Sequence, residues 1–369
     1  MRILYGVVGE GMGHAIRSRV VLDELVKGHD VQVVVSGRAH DYLAQRAGEH
    51  LRVRKIWGFT IVTEDNEVRN FRTLLQNVRG AVAGGWPRNV RAYFDLAREF
   101  QPEVVISDFE SWSYLFAVNH RLPVISLDNI QIVNRCRHEP QILRGHEADF
   151  QIARGVVKAK VPGAWHYLIT TFFYPPVRKR RTTLHPPVLR PEILSARPEP
   201  GGHLLVYQTY TTHAGLPELL RKTGLECRIY GLRRDLPAPV REGNLLYLPF
   251  SEPGFIEDLR TARGVVASGG FTLMGEAVYL RRPMLAEPVG KQFEQILNAR
   301  YLESLGYGMS AEEITEPRLR EFLERIPEFE RNLAGYSQDG NRELLLKLDE
   351  VLQAARGVQV LDVDDPTIG

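Results

Sequence analysis

The chain has 369 residues, 44% of them hydrophobic and 25% charged, with a formal net charge of +2. That length suits two domains better than one, the composition is that of an ordinary soluble globular protein, and so mild a charge gives no case for nucleic acid as a partner. Cys136 and Cys227 stand far apart without metal-ligand spacing, which argues against a disulfide or zinc framework and for a cytoplasmic protein with incidental thiols.

The opening MRILYGVVGEGMGH holds only a short apolar run before its glycines, a first strand rather than a signal peptide. No run of about 18 apolar residues marks a membrane span, which leaves peripheral membrane contact open. Further runs rich in Val, Ile and Leu predict strands at 3–8, 31–36, 104–108 and 124–127, then at 204–208, 227–230, 245–250, 264–268 and 283–287. They do not alternate with polar residues, as expected of parallel strands buried on both faces. The helical stretches between them predict an α/β architecture.

Strand one ends in Gly9-Glu10-Gly11-Met12-Gly13-His14, and a helix follows whose buried face is Val21, Leu22, Leu25 and Val26. Glycines at such a turn, Gly13 included, let a ligand approach the backbone, and the helix start attracts negative charge. A dinucleotide site would read G-x-G-x-x-G. Here the spacing is Gly9-x-Gly11-x-Gly13, and Asp30 precedes strand two instead of ending it, which argues against NAD. His14 has two readings, a locally hydrogen-bonded group or a neutral imidazole that serves as general base.

Residues 55–100 carry Trp57, Phe59, Trp86 and Tyr93 among arginines, as packing residues or as an acceptor site beyond the strand ends. Residues 174–201 are rich in proline and poor in periodic apolar residues, and read as the crossing between two domains. Their run Arg178–Arg181 fits a solvated strap, or a contact to phosphate or an acidic membrane. The predicted organisation is a first domain over 1–190, a linker over 191–201, a second domain over 202–338, a helix over 339–356 and an acidic tail over 357–369. Leu344, Leu348, Leu352 and Ala355 share one face of that helix.

The second motif spans 264–299. A strand meets Gly269-Gly270, and a helix then runs through Thr272 to about Leu280. Its free amides would face a diphosphate, with the Thr272 hydroxyl as a further donor. Glu276, one turn inside, is either an exposed helix residue or an acceptor for both ribose hydroxyls. Glu294-Gln295 offers a carboxylate and an amide to the vicinal hydroxyls of a sugar. Gln208, Thr209, Thr211 and Thr212 follow the first strand of the second domain and face the same crevice, as phosphate contacts or as plain loop residues.

On these motifs the chain resembles the GT-B glycosyltransferases that use UDP-sugars, including the UDP-glucuronosyl/plant-type enzymes and the bacterial peptidoglycan GlcNAc transferase. It is most similar to a branch of small archaeal and bacterial transferases. The resemblance rests on Gly11, Gly13, His14 and Arg17 near the start and on Gly270, Glu276, Arg282-Pro283, Glu294-Gln295 and Asn298-Ala299. It implies two Rossmann-like domains facing each other across a cleft, the last helix packing back toward the first. It also implies an inverting, metal-independent transfer of a hexose from a UDP-sugar to an acceptor hydroxyl, with no cofactor. His14 would be the base and Asp108 its orienting carboxylate, with Glu110 and Asp128 as alternatives to Asp108 and helix capping as Asp108's other reading. Phe250 would lead into the base-binding loop. The family's His-Cys-Gly-Trp reads Ser268-Gly269-Gly270-Phe271 here, so phosphate binding would rest on amides and hydroxyls. The acceptor, a lipid-linked saccharide, a glycan or a small molecule, is undefined. A UDP-sugar 2-epimerase and a non-catalytic nucleotide-sugar or glycan binder are the competing readings.

Overall fold

The computed structural model describes residues 1–9, 11–58, 63–64, 67–68, 85–199, 201–208, 215–233, 236–290 and 292–358. Phe59, Thr209, Thr211, Thr212 and the tail beyond 358 lie outside these residues.

Two sheets carry the fold. The first contains β1 (Arg2–Val7), β2 (Asp30–Val35), β3 (Leu51–Lys55), β4 (Val104–Asp108), β5 (Val124–Asp128), β6 (His166–Thr170) and β7 (Thr182–His185). They pair in parallel in the order β3-β2-β1-β4-β5-β6-β7. The second contains β8 (Leu204–Tyr207), β9 (Cys227–Tyr230), β10 (Val240–Glu242), β11 (Leu245–Leu248), β12 (Gly264–Ala267), β13 (Met284–Ala286) and β14 (Gly308–Ser310). Their order is β10-β11-β9-β8-β12-β13-β14, with only the β10–β11 pair antiparallel. In both sheets the order reverses beside the first strand, which opens a crevice at the strands' carboxyl ends.

The apolar runs are continuous because both sheet faces are covered. Ile3, Tyr5 and Val7 of β1 enter one core cluster and Leu4 enters the other. The helices that matter are α1 (Met12–Leu25), α2 (Trp86–Asp95), α3 (Ser111–His120), α4 (Glu147–Lys160), α5 (Phe271–Tyr279), α6 (Phe293–Ser304) and α7 (Arg342–Ala355). α1 and α7 cover one face of the first sheet, while α2, α3 and α4 cover the other. Although last of the described helices, α7 packs back on the first sheet. Its Leu344, Leu348 and Leu352 share a cluster with Ile3 and Val21. The Asn341 side chain pins this return by donating to the Leu189 carbonyl at 2.8 Å and accepting from the Leu189 amide at 2.9 Å.

The proline-rich stretch is more than a crossing. It contains edge strand β7 and a short helix, Pro191–Ser195. The two halves meet through aromatic contacts: Phe173 stacks on Tyr301 at 4.0 Å, and Phe150 lies 5.4 Å from Phe293. No helix among the described residues is long and apolar enough to cross a membrane.

Candidate active site

Asp108 ends β4 beside Val7 of β1, at the reversal point of the first sheet, and is fully buried. Phe109 follows with φ +56°, a left-handed conformation uncommon for a bulky residue. The capping task then falls to Glu110, whose carboxylate accepts from the amides of Trp112 at 2.8 Å and Ser113 at 2.6 Å. Asp108 is left free to point at α1. Its Oδ1 lies 2.8 Å from His14 Nδ1, and its Oδ2 accepts from Arg17 Nε at 3.0 Å and from the Ser18 hydroxyl at 3.1 Å. Burial alone would raise the Asp108 carboxyl, but the charges of Arg17 and His14 outweigh it and hold the group at about 2.

Arg17 Nη2 also sits 2.6 Å from His14 Nδ1 and bonds Asp108 Oδ1. Arginine cannot accept, so when Nδ1 carries the ring proton that proton goes to Asp108 and Nε2 holds the lone pair, whereas a bare Nδ1 accepts from Arg17 Nη2. His14 keeps 15% of its side chain exposed, while Asp108 has none. The imidazole is thus anchored on its buried edge and open on the other, the arrangement of an oriented base.

Arg17 extends this network across the cleft. Its Nη1 bonds Asn129 Oδ1, and Asn129 Nδ2 donates to Glu294 Oε1 at 2.5 Å. A continuous chain of hydrogen bonds therefore runs from His14 in one half to Glu294 at the start of α6 in the other. Neither this role of Arg17 nor that of Asn129 follows from the motifs in the sequence. The available signals were an arginine one helical turn after His14 and an amide directly after a strand-ending aspartate.

The second half contributes an open helix start. Gly270 precedes α5, which has no side-chain cap and no acidic residue in its first turn. A Cβ at Gly270 would meet nothing within 4 Å, whereas one at Gly269 would lie 2.5 Å from the Gln295 carbonyl oxygen. Gly269 is thus required by close packing, while Gly270 borders free space in front of donor amides. α1 and α5 touch, and a Cβ on Gly13 would come within 2.7 Å of the Thr272 hydroxyl. The two motifs, far apart in sequence, are two helix starts facing each other. Ser268 and Gln208 follow the paired strand ends Ala267 and Tyr207. Phe250 exposes 64% of its surface and packs edge-on against Tyr230.

Several expectations need correction. Glu276 is not an open carboxylate, because it is buried and gripped by Arg190, whose Nε and Nη2 reach its two oxygens at 2.8 and 2.7 Å. Arg190 also reaches Glu252 at 2.8 Å. Phe271 is buried and stacks against Phe172 of the other half, so its ring is not presented to a nucleotide. Glu294 and Gln295 do not act side by side. The Gln295 amide accepts from the Val289 amide at 3.1 Å and donates to Gln292 at 2.7 Å, holding the loop after β13. Asp128 is no partner of His14. It accepts from Ser126 and from the Gln131 amide, both at 2.8 Å, and burial followed by the charge of Asp108 raises it to about 6. Glu110 is occupied as a helix cap, and burial raises its carboxyl.

Comparison with known proteins places this geometry. The sequence model of a family described as Glycosyl transferase family 1 matches residues 1–327. An uncharacterized glycosyltransferase of Methanosarcina mazei is 26% identical over 364 residues, covering 88% of this chain and 90% of the relative. Among solved structures, UDP-glucose: anthocyanidin 3-O-glucosyltransferase in complex with UDP superposes with a TM-score of 0.69 at 14% identity, covering 96% of this chain and 99% of that one. Arabidopsis thaliana UGT89C1 complexed with quercetin gives 0.65 at 14% identity, with the same coverage. These likenesses match the two-domain GT-B fold seen here.

Proposed function

The chain belongs to glycosyl transferase family 1, and from that premise we propose that it transfers a hexose from a UDP-sugar to an acceptor hydroxyl, with inversion and without a metal ion. The observation that carries this reading is the His14–Asp108 pair at 2.8 Å, set across from the uncapped start of α5. His14 Nε2 takes the acceptor proton as the acceptor oxygen bonds to the anomeric carbon from one face. The bond from that carbon to the UDP oxygen breaks on the opposite face, and UDP leaves with the electron pair. Asp108 steadies the imidazolium that forms. The diphosphate charge falls on the amides after Gly270 and on the Thr272 hydroxyl, a preorganised site of the kind that stabilises leaving-group charge. The UDP complex of the anthocyanidin enzyme supports uridine as the base, which would sit near Phe250 beyond β11. Glu294 would accept a donor hydroxyl through the oxygen that Asn129 does not hold.

The test is transfer from a panel of UDP-hexoses in the presence of a chelator, with the anomeric configuration of the product read by NMR. His14→Ala should abolish transfer and leave UDP binding within a few-fold. Normal turnover in that variant, or a retained configuration, would overturn the assignment.

A further inference from the structure

The transfer reaction leaves Asn129 without a task, although its side chain joins the two halves of the site. Asn129 directly follows β5, on a turn that Asp128 holds by accepting from the Gln131 amide at 2.8 Å. The Asn129 carbonyl accepts from the Ile132 amide at 3.3 Å, so the backbone here is fixed on both sides. The side chain is buried, and both ends of its amide are engaged. Arg17 Nη1 donates to Oδ1, and Nδ2 donates to Glu294 Oε1 at 2.5 Å.

The residue types suit this arrangement. Arginine only donates and a carboxylate only accepts, whereas an amide accepts at one end and donates at the other. Asn129 can therefore sit between Arg17 and Glu294, and those neighbours fix which way its amide faces. Burial would lower the Arg17 guanidinium, but the fields of Asp108, Asp128 and Glu294 raise it, so the Glu294 charge is felt at Arg17 across the cleft. At the far end, Asn298 lies one turn beyond Glu294 on α6 and donates to the Gly269 carbonyl at 3.2 Å. α6 is thereby tied to the glycine turn in front of α5.

We propose that Asn129 is a positioning residue for transfer, which holds Glu294 and Arg17 in one register, so that the sugar carboxylate of one half and the His14–Asp108 pair of the other are set together. This rests on the function proposed above. By taking one oxygen of Glu294, Asn129 fixes the rotation of that carboxylate and leaves the other oxygen for a donor hydroxyl. By taking Nη1 of Arg17, it fixes where Nη2 stands between Asp108 Oδ1 and His14 Nδ1, and with it the imidazole. Buried hydrogen bonds in a chain polarise one another and rigidify as a unit, so a change at Glu294 is passed on to His14.

The experiment reads His14 by ¹⁵N NMR of the full chain without substrate, its ring signals assigned by their loss in His14→Gln. Glu294→Ala should shift these signals although it lies in the other half, and in an Asn129→Ala background it should shift nothing. Kinetics supplies a second readout. Asn129→Ala should lower kcat by about 10- to 100-fold, the scale of a small misplacement of reacting groups, with UDP affinity near that of the wild type. Combined with Glu294→Ala, it should lower kcat by less than the product of the two single effects. A Glu294→Ala shift that is absent, or that persists without Asn129, would overturn the proposal. So would independent effects on kcat, or a kcat that falls only as far as UDP affinity does, the mark of a plain strut. A wild type that transfers from no UDP-hexose would refute the proposed function instead, and the NMR result would still decide the coupling.

Discussion

Replacing Asp108 with asparagine tests the site at its most constrained point. The side chain keeps its shape but loses its charge, and one oxygen becomes a donor facing the donors of Arg17 and His14. Two effects follow, and they read out separately. In turnover, His14 loses the partner that sets its tautomer. The same change in a Ser-His-Asp triad costs about 10⁴-fold, so kcat should fall by three to four orders of magnitude, with donor KM little changed. In stability, Arg17 is 3% exposed and is left without its counter-charge, a loss of roughly 3–5 kcal/mol for a broken buried pair. The pH dependence carries a further signature. Because folding lowers the Asp108 carboxyl to about 2, its contribution is present above the unfolded value near 4 and is lost as pH falls through 2. That contribution is worth roughly 2 kcal/mol. Urea unfolding at pH 7 gives the first stability number, its pH dependence down to pH 3, where about half of the second is already lost, gives the other, and steady-state transfer gives the kinetics. A folded Asp108→Asn protein that keeps kcat within a few-fold of wild type would refute the dyad.

Asp128 should behave in the opposite sense. Its folded carboxyl is raised to about 6, so its stabilising contribution is complete below pH 4 and is lost as pH rises through 6. Relative to Asp128→Asn the wild type should lose roughly 3 kcal/mol between pH 4 and pH 7, measurable by urea unfolding. The two motif glycines should also separate. Gly269→Ala forces a Cβ to 2.5 Å from the Gln295 carbonyl and should destabilise the fold by roughly 1–3 kcal/mol. Gly270→Ala enters open space and should leave the melting temperature intact while weakening UDP binding by calorimetry.

Much of the fold was legible because central parallel strands announce themselves as continuous apolar runs, and nine such runs appear as strands within two residues at either end. The strands that were missed lie at or near sheet edges or are short. β3 reads Leu-Arg-Val-Arg-Lys with Arg52 exposed, and β7 hides between prolines. Within the site, His14, Asp108 and the Gly270 helix start could be found because each is a local signal, a turn or a strand end. Arg190 on Glu276 and Asn129 on Glu294 could not, since each pair joins residues more than 80 positions apart. A carboxylate in a motif shows what it is able to bind, and only the folded chain shows what it already holds.

That distinction makes Glu276 the sharpest remaining question. Both its oxygens are held by Arg190, yet each carboxylate oxygen has two lone pairs, so a ribose hydroxyl can join without displacing the arginine. A purely structural pair and a ribose site therefore look alike in the resting protein, and a double substitution separates them. Arg190→Met alone strands a buried carboxylate and should cost roughly 3–5 kcal/mol, whereas Arg190→Met with Glu276→Met replaces the pair by apolar volume and should recover most of that loss. Stability is then matched and UDP affinity becomes the readout. If Glu276 serves the ribose, the stable double variant loses UDP binding while Asp108→Asn keeps it. If the double variant binds UDP as the wild type does, Glu276 is a strut between the two halves, and the ribose must be held by other groups.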